Sequence, residues 1–179
     1  KSIAVVFAIA LAMTATVAGA QTFCNIAAYG DAAGTESILQ PTEAQEFSVF
    51  VVMFAEDTAA AAAYQMAVPA GMFQQARFSG PSGTGLVIDE PTGTNVALNE
   101  CVIGFGGLPV LIDEYVFVVF EGFQGGTVDI GANISQGSSP VYVTCNDLTR
   151  PCDVGASLVV NRPIPTDASS FSSIKSLYN

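Results

Sequence analysis

The chain has 179 residues, five Lys and Arg against 16 Asp and Glu, a formal charge of −11, and a composition that is half hydrophobic and only 12% charged. That length suits one domain. The apolar content excludes a disordered chain, the acidic balance excludes a nucleic-acid partner, and the absence of His removes His-based triads, HExxH zinc sites and most copper sites.

Residues 1–20 read as a secretion signal. Lys1 gives the positive start, 3–13 an apolar run of Ala, Val, Ile and Leu, and Ala18-Gly19-Ala20 a small-residue cleavage site. The run softens at Thr14 and Thr16 and is shorter than the roughly 20 residues a membrane span needs. No later run is long enough, so no membrane span is expected once the signal is removed. The folded domain is placed at 21–160 and an extended tail at 161–179.

Within the domain the apolar pattern has the two-residue period of strands. A first strand is expected at 23–29. Segment 45–55 carries Phe47, Val49, Val51 and Met53 on one face and turns apolar on both faces from Phe50 onward, as a central strand does. The alanine run at 58–63 favours a helix intrinsically but is too short to be stable alone, so a helical turn and extended chain both stay open. Further strands follow at 63–68, 86–88, 96–98, 101–105, 109–120, 127–134, 141–145 and 156–160. About nine or ten strands at this turn spacing read as an antiparallel two-sheet sandwich. Its core is expected from Phe47, Val49, Val51, Met53, Tyr64, Met66, Val68, Val116, Val118, Val128 and Ile130.

Four cysteines, Cys24, Cys101, Cys145 and Cys152, lie beyond the signal, and an even count in an exported chain reads as two disulfides. Three connectivities exist. Cys145 and Cys152 bracket a short turn-like stretch, which favours Cys145–Cys152 with Cys24–Cys101. A Cys-only zinc site would need closer pairs.

The apolar strand at 47–54, the Tyr64-Gln65-Met66 strand running into Val68-Pro69-Ala70-Gly71-Met72, and the later strand at 111–120 together resemble the cohesin-like β-sandwich group. That group includes carbohydrate-binding-module folds of secreted bacterial proteins. The resemblance spans about 43–134 and implies a jelly roll of about nine strands with a binding or scaffolding role. Four cysteines depart from the cohesin pattern.

Candidate chemistry is sparse. The glycine-rich 79–85 segment lacks the Lys and the helix of a phosphate loop, and no Ser has a base to activate it. Glu56, Asp57, Asp89, Glu90, Asp113, Glu114 and Glu121 are formally eligible for two-carboxylate glycosidase chemistry. The pairs Glu56-Asp57 and Asp89-Glu90 offer hard oxygen ligands for calcium, although no D-x-D-x-D-G loop is present. Tyr29, Tyr64, Tyr115 and Tyr142 are the candidate stacking platforms for a glycan in a chain without Trp. In the tail, Phe171, Ile174, Leu177 and Tyr178 recur at helical spacing beside Lys175, which suits a short amphipathic recognition element. The expected function is a non-catalytic module, secreted to the exterior or surface of a bacterial cell, that binds a protein or cell-surface partner in adhesion or assembly without a cofactor. The alternatives are a glycan-binding module and, third, a carboxylate-based glycosidase.

Overall fold

The computed structural model describes residues 24–79, 86–103 and 108–163. The expected signal at 1–20 and the tail residues Phe171, Ile174, Lys175, Leu177 and Tyr178 lie outside them.

The described chain forms strands β1 (Cys24–Tyr29), β2 (Ile38–Leu39), β3 (Glu46–Ala55), β4 (Thr58–Ala67), β5 (Met72–Ser79), β6 (Leu86–Glu90) and β7 (Gly93–Ile103). Then come β8 (Pro109–Val119), β9 (Gly126–Gly131), β10 (Val141–Val143), β11 (Thr149–Pro151), β12 (Asp153–Val154) and β13 (Leu158–Val160). One sheet has the order β12-β1-β3-β8-β5; the other runs β11-β10-β4-β9-β13-β2, with β7 on β4 and β6 on β7. Pairing is antiparallel except for β1 with β12 and β13 with β2. The alanine run is extended rather than helical, because Ala61, Ala62 and Ala63 are paired on both edges, to β7 and to β10. Pairing on both edges outweighs a local propensity worth a fraction of a kcal/mol per residue.

The two inner faces meet in a core of Ile26, Val49, Val51, Met53, Ile112 and Phe117 against Tyr64, Val96, Val128, Ile130, Tyr142 and Leu158. Of the expected core, Val49, Val51, Met53, Tyr64, Val128 and Ile130 are buried there, and Phe47 and Met66 pack against its margin. Val68 is instead 40% exposed, just past the end of β4. Val116 and Val118 point to the opposite face from the core residues Tyr115, Phe117 and Val119, where Val118 is buried all the same and Val116 half-buried. The side chains of β8 beyond Asp113 therefore alternate in the opposite phase from the one expected. The outer face of the first sheet is roofed in part by the loop after β1, which Asp31 ties by accepting from the Thr35 and Glu36 N–H groups. Gly34, at φ +69°, sits where a Cβ would strike the Phe54 ring.

The disulfides are Cys24–Cys152 and Cys101–Cys145, with Cα–Cα separations of 4.6 and 5.7 Å. The local pair expected from spacing does not form. Cys145 and Cys152 belong to opposite ends of the β10–β11 hairpin: Val141 pairs with Pro151, the Cys152 N–H bonds the Pro140 carbonyl, and Cys145 lies beyond Val143 near the turn. Closeness in sequence is cancelled by strand extension. The Cys145 N–H instead donates to Thr58 Oγ1 at the start of β4, where β7 brings Cys101 alongside.

Candidate functional site

Two bulges build a polar cluster between the sheets. Across β3, Val51 faces Asp113 and Val52 faces Leu111, so Ile112 is an extra residue in β8. Such a bulge turns two successive side chains to one face. Ile112 and Asp113 are both fully buried, and every later residue of β8 changes phase. In β5, Gln74 pairs with Phe117 and Ala76 with Val116, which leaves Gln75 as the extra residue and sets Arg77 opposite the inward-facing Tyr115. Without that bulge Arg77 would oppose Glu114 on the outer face. From the second sheet, Asp89 and Thr94 are cross-strand neighbours on β6 and β7.

Arg77 joins these elements. Its guanidinium grips Asp113 with two bonds, Nη2 to Oδ2 at 2.7 Å and Nε to Oδ1 at 3.3 Å, and reaches across to Asp89 Oδ1 at 2.6 Å. Its carbon Cζ lies 4.8 Å from the centre of the Tyr115 ring. The Tyr64 hydroxyl donates to Asp113 Oδ2 and lies 2.9 Å from the Tyr115 hydroxyl. Burial works against the charge on Arg77, but the bonds to Asp113 and the surrounding oxygens overrule it and raise its pKa. Burial, then the charges of Tyr115 and Asp113, hold the Tyr64 phenol well above its ordinary value. Burial and Asp113 push Tyr115 up to about 12. For Asp89, burial is outweighed by the bonds from Thr94 and Arg77, and its pKa is lowered.

Beside the cluster the sheets part in a cleft of about 250 Å³, walled by Gln65, Gln74, Asp89, Glu90 and Thr94. Gly93, at φ +143°, faces the Tyr64 carbonyl oxygen, and a Cβ there would lie 2.7 Å from it. Only glycine permits that approach.

A second feature lies on the outer face of β6-β7-β4-β10-β11. Its rungs read Leu86, Ala97, Ala61, Val143, Thr149 and then Ile88, Asn95, Ala63, Val141, Pro151. The alanines make a floor, Leu86 and Ile88 one wall, and Val141 and Val143 the other. The trough holds about 170 Å³. Leu86 and Ile88 stand 65% and 48% exposed.

The sequence singled out the pair Asp89-Glu90 and, apart from it, Asp113, but not Arg77, which joins Asp89 and Asp113. Asp89 and Asp113 meet on one guanidinium, Asp57 pairs with Arg150 at 2.9 Å, and Glu114 accepts from Ser48. Among the described residues no group of three or more His, Cys, Asp or Glu is arranged to hold a metal ion. Tyr64, Tyr115 and Tyr142 are buried and present no stacking face for a glycan. Among the described residues the exposed aromatics are Phe73, Phe78 and Phe120, with Phe73 edge-on to Phe120.

No family model matches the sequence, and no curated protein does. Solved structures match the fold. A non-cellulosomal cohesin from the archaeon Archaeoglobus fulgidus aligns at 9% identity with a TM-score of 0.53, over 85% of this chain and 96% of that one. The cohesin module of a family 33 glycoside hydrolase from Clostridium perfringens aligns at 11% and 0.54, over 80% and 99%. The cohesin of a type I cohesin–dockerin complex from Clostridium thermocellum aligns at 10% and 0.53, over 80% and 100%. The chain therefore has the cohesin-like β-sandwich fold.

Proposed function

We propose that the chain is a non-catalytic protein-binding module, exported to the cell surface, whose trough seats an α-helix of its partner. The trough carries this reading. Its walls on β6 and β10 are three strand spacings apart, about 14 Å, against a helix diameter of about 10–12 Å. The alanine floor lets a helix backbone approach closely, and exposed apolar walls of this kind mark interaction sites on soluble proteins. The fold supports it, since a neighbour of the same architecture was solved bound to a dockerin. A chain of charge −11 favours a partner with basic flanks around an apolar ridge. Two disulfides fit an oxidising compartment.

The test is capture of a defined partner by the immobilised chain and by two variants. Ala61→Leu fills the floor and Ile88→Asp charges the wall, and each is expected to abolish capture while Phe73→Asp, on the other sheet, does not. Equal capture by all three removes the trough from the reading. Export is tested by sequencing the N-terminus of the secreted protein, expected at Gln21.

A further inference from the structure

We infer that an apolar pocket at one end of the first sheet is the docking site of this chain's own segment 164–179. The pocket lies between two turns. In one the Met72 N–H donates to the Pro69 carbonyl, in the other the Phe123 N–H donates to the Phe120 carbonyl, and each turn passes through a glycine at φ +93°, Gly71 and Gly122. Between them is a cavity of about 360 Å³ with a mostly apolar lining. Phe123 is buried against it, while Phe73 and Phe120 stand edge-on to each other on its wall, each about half exposed. Nothing lies within 4 Å of the place a Cβ on Gly122 would take, so the rim is open.

The course of the chain selects the occupant. Val160 is paired with Gly126. A Cβ on Gly125 would lie 2.9 Å from the Val160 carbonyl oxygen and 3.3 Å from the Arg162 nitrogen, and one on Gly126 would strike the Pro69 ring. The chain therefore runs out to Pro163 beside Pro69, where one turn begins, and beside Gly125, two residues past the other. Eight steps separate Pro163 from Phe171 and span up to about 26 Å when extended, ample for a pocket that adjoins the exit. A segment on so short a tether has an effective concentration in the millimolar range, far above that of a second copy in dilute solution.

The chemistry agrees. Segment 164–179 carries Phe171, Ile174, Leu177 and Tyr178, and their spacing of three and four is that of anchors that enter an apolar groove. Its one basic residue, Lys175, lies among those anchors. The pocket rim carries the exposed Glu121, and Glu46 shares the rung of Val118 and Phe73. Those carboxylates attract the lysine and repel an acidic peptide. An exposed aromatic pair on a soluble domain marks a surface that is covered in use.

The test is photo-crosslinking of the full chain with p-benzoylphenylalanine in place of Ser173, which leaves the four anchors intact. Irradiation should give a monomeric product in which residue 173 is joined to 69–73 or 120–124, mapped by mass spectrometry. Phe120→Asp in the pocket and Ile174→Asp in the segment should each lower that product about tenfold, equivalent to about 1.4 kcal/mol. Glu121→Lys, which alters only an exposed side chain, should lower it about threefold. A product of twice the chain mass gives the pocket to a second copy, and cross-links to Leu86 or Ile88 give the segment to the trough. Either result overturns the inference, as does the absence of a product or a yield unchanged in all three variants. Ala61→Leu should leave the product unaltered, so the pocket and the trough succeed or fail separately.

Discussion

The two edges of the sandwich are closed by opposite means. On the β1 side, the chain passes from β11 in one sheet to β12 in the other through Cys152, and the bond to Cys24 fastens that crossing covalently among apolar residues. On the β5 side, Arg77 of one sheet is clasped to Asp89 of the other above a buried Asp113. The first edge constrains the unfolded chain. The second desolvates charges, which a hydrophobic seam would avoid, and opens a polar cleft. Stability alone would favour the first device at both edges, so the polar edge is the one whose energetics depend on keeping every charge partnered.

Breaking the polar edge should have the largest effect. Arg77→Ala strands Asp113, at zero exposure, without its counter-charge. A loss of about 3–5 kcal/mol is expected by urea denaturation. Replacing both partners, Arg77→Met with Asp113→Leu, should restore much of that loss, because the cost lies in the orphaned charge. If the double variant is no better than the single, the clasp is not the source. The covalent edge comes next. Cys24→Ala with Cys152→Ala, which opens a separation of 128 residues, should cost about 2–5 kcal/mol. The pair Cys101→Ala with Cys145→Ala, separation 44, should cost about 1 kcal/mol less on chain-entropy grounds. Thermal melts of the two pairs side by side check the order.

The same contrast explains what could be read from the sequence. The apolar strands β1 and β3 and the second half of β4 declare themselves in the sequence, and the cohesin-like arrangement followed from the order of such strands. β5 was missed: half of its residues are exposed, Gln74-Gln75 interrupt its alternation, and the bulge at Gln75 shifts its phase. The bulge at Ile112 likewise made Val116 and Val118 look like core. A bulge is a property of the pair of strands, not of one strand, so the two irregularities that assemble the cluster were invisible one segment at a time. An isolated Arg in a Gln-rich stretch, two bulges from its partners, gives no linear motif. The trough was hidden for another reason. Its alanines read as helix formers, and only pairing on both edges turned them into a floor.

Tyr64 gives a smaller break. Tyr64→Phe removes one hydrogen bond to a buried carboxylate and should cost about 1.5–3 kcal/mol. It also alters the alkaline limb. Because the folded pKa of Tyr64 is raised, its contribution is fully present below the unfolded value near 10 and is lost as pH rises through the folded one. Tyr115 behaves likewise, losing its contribution as pH rises from about 10 toward about 12. Stability should therefore decline above about pH 10 in the native chain and less steeply in Tyr64→Phe, with the absorbance of these two phenolates appearing late. Early, simultaneous ionisation of all tyrosines in the folded chain would contradict the buried placement.

The smallest effect should come from the outer half of the clasp. The Asp89 side chain is 66% exposed, so solvent screens its pair with Arg77, and Asp89→Asn should cost only about 0.2–1 kcal/mol. Its pH dependence has the opposite sign from that of the tyrosines. The folded pKa of Asp89 is depressed, so its contribution is present above the unfolded value near 4 and disappears as pH falls through the folded one. The stability gap between native chain and variant should accordingly be flat from about pH 5 to 8 and close below about pH 4. It should also shrink in high salt, as that of an exposed pair does, while the Arg77→Ala loss, set by the buried Asp113, should not. A gap of several kcal/mol in Asp89→Asn, unaffected by salt, would mean that Asp89 rather than Asp113 anchors Arg77, and the polar edge would then be held from the second sheet instead of the first.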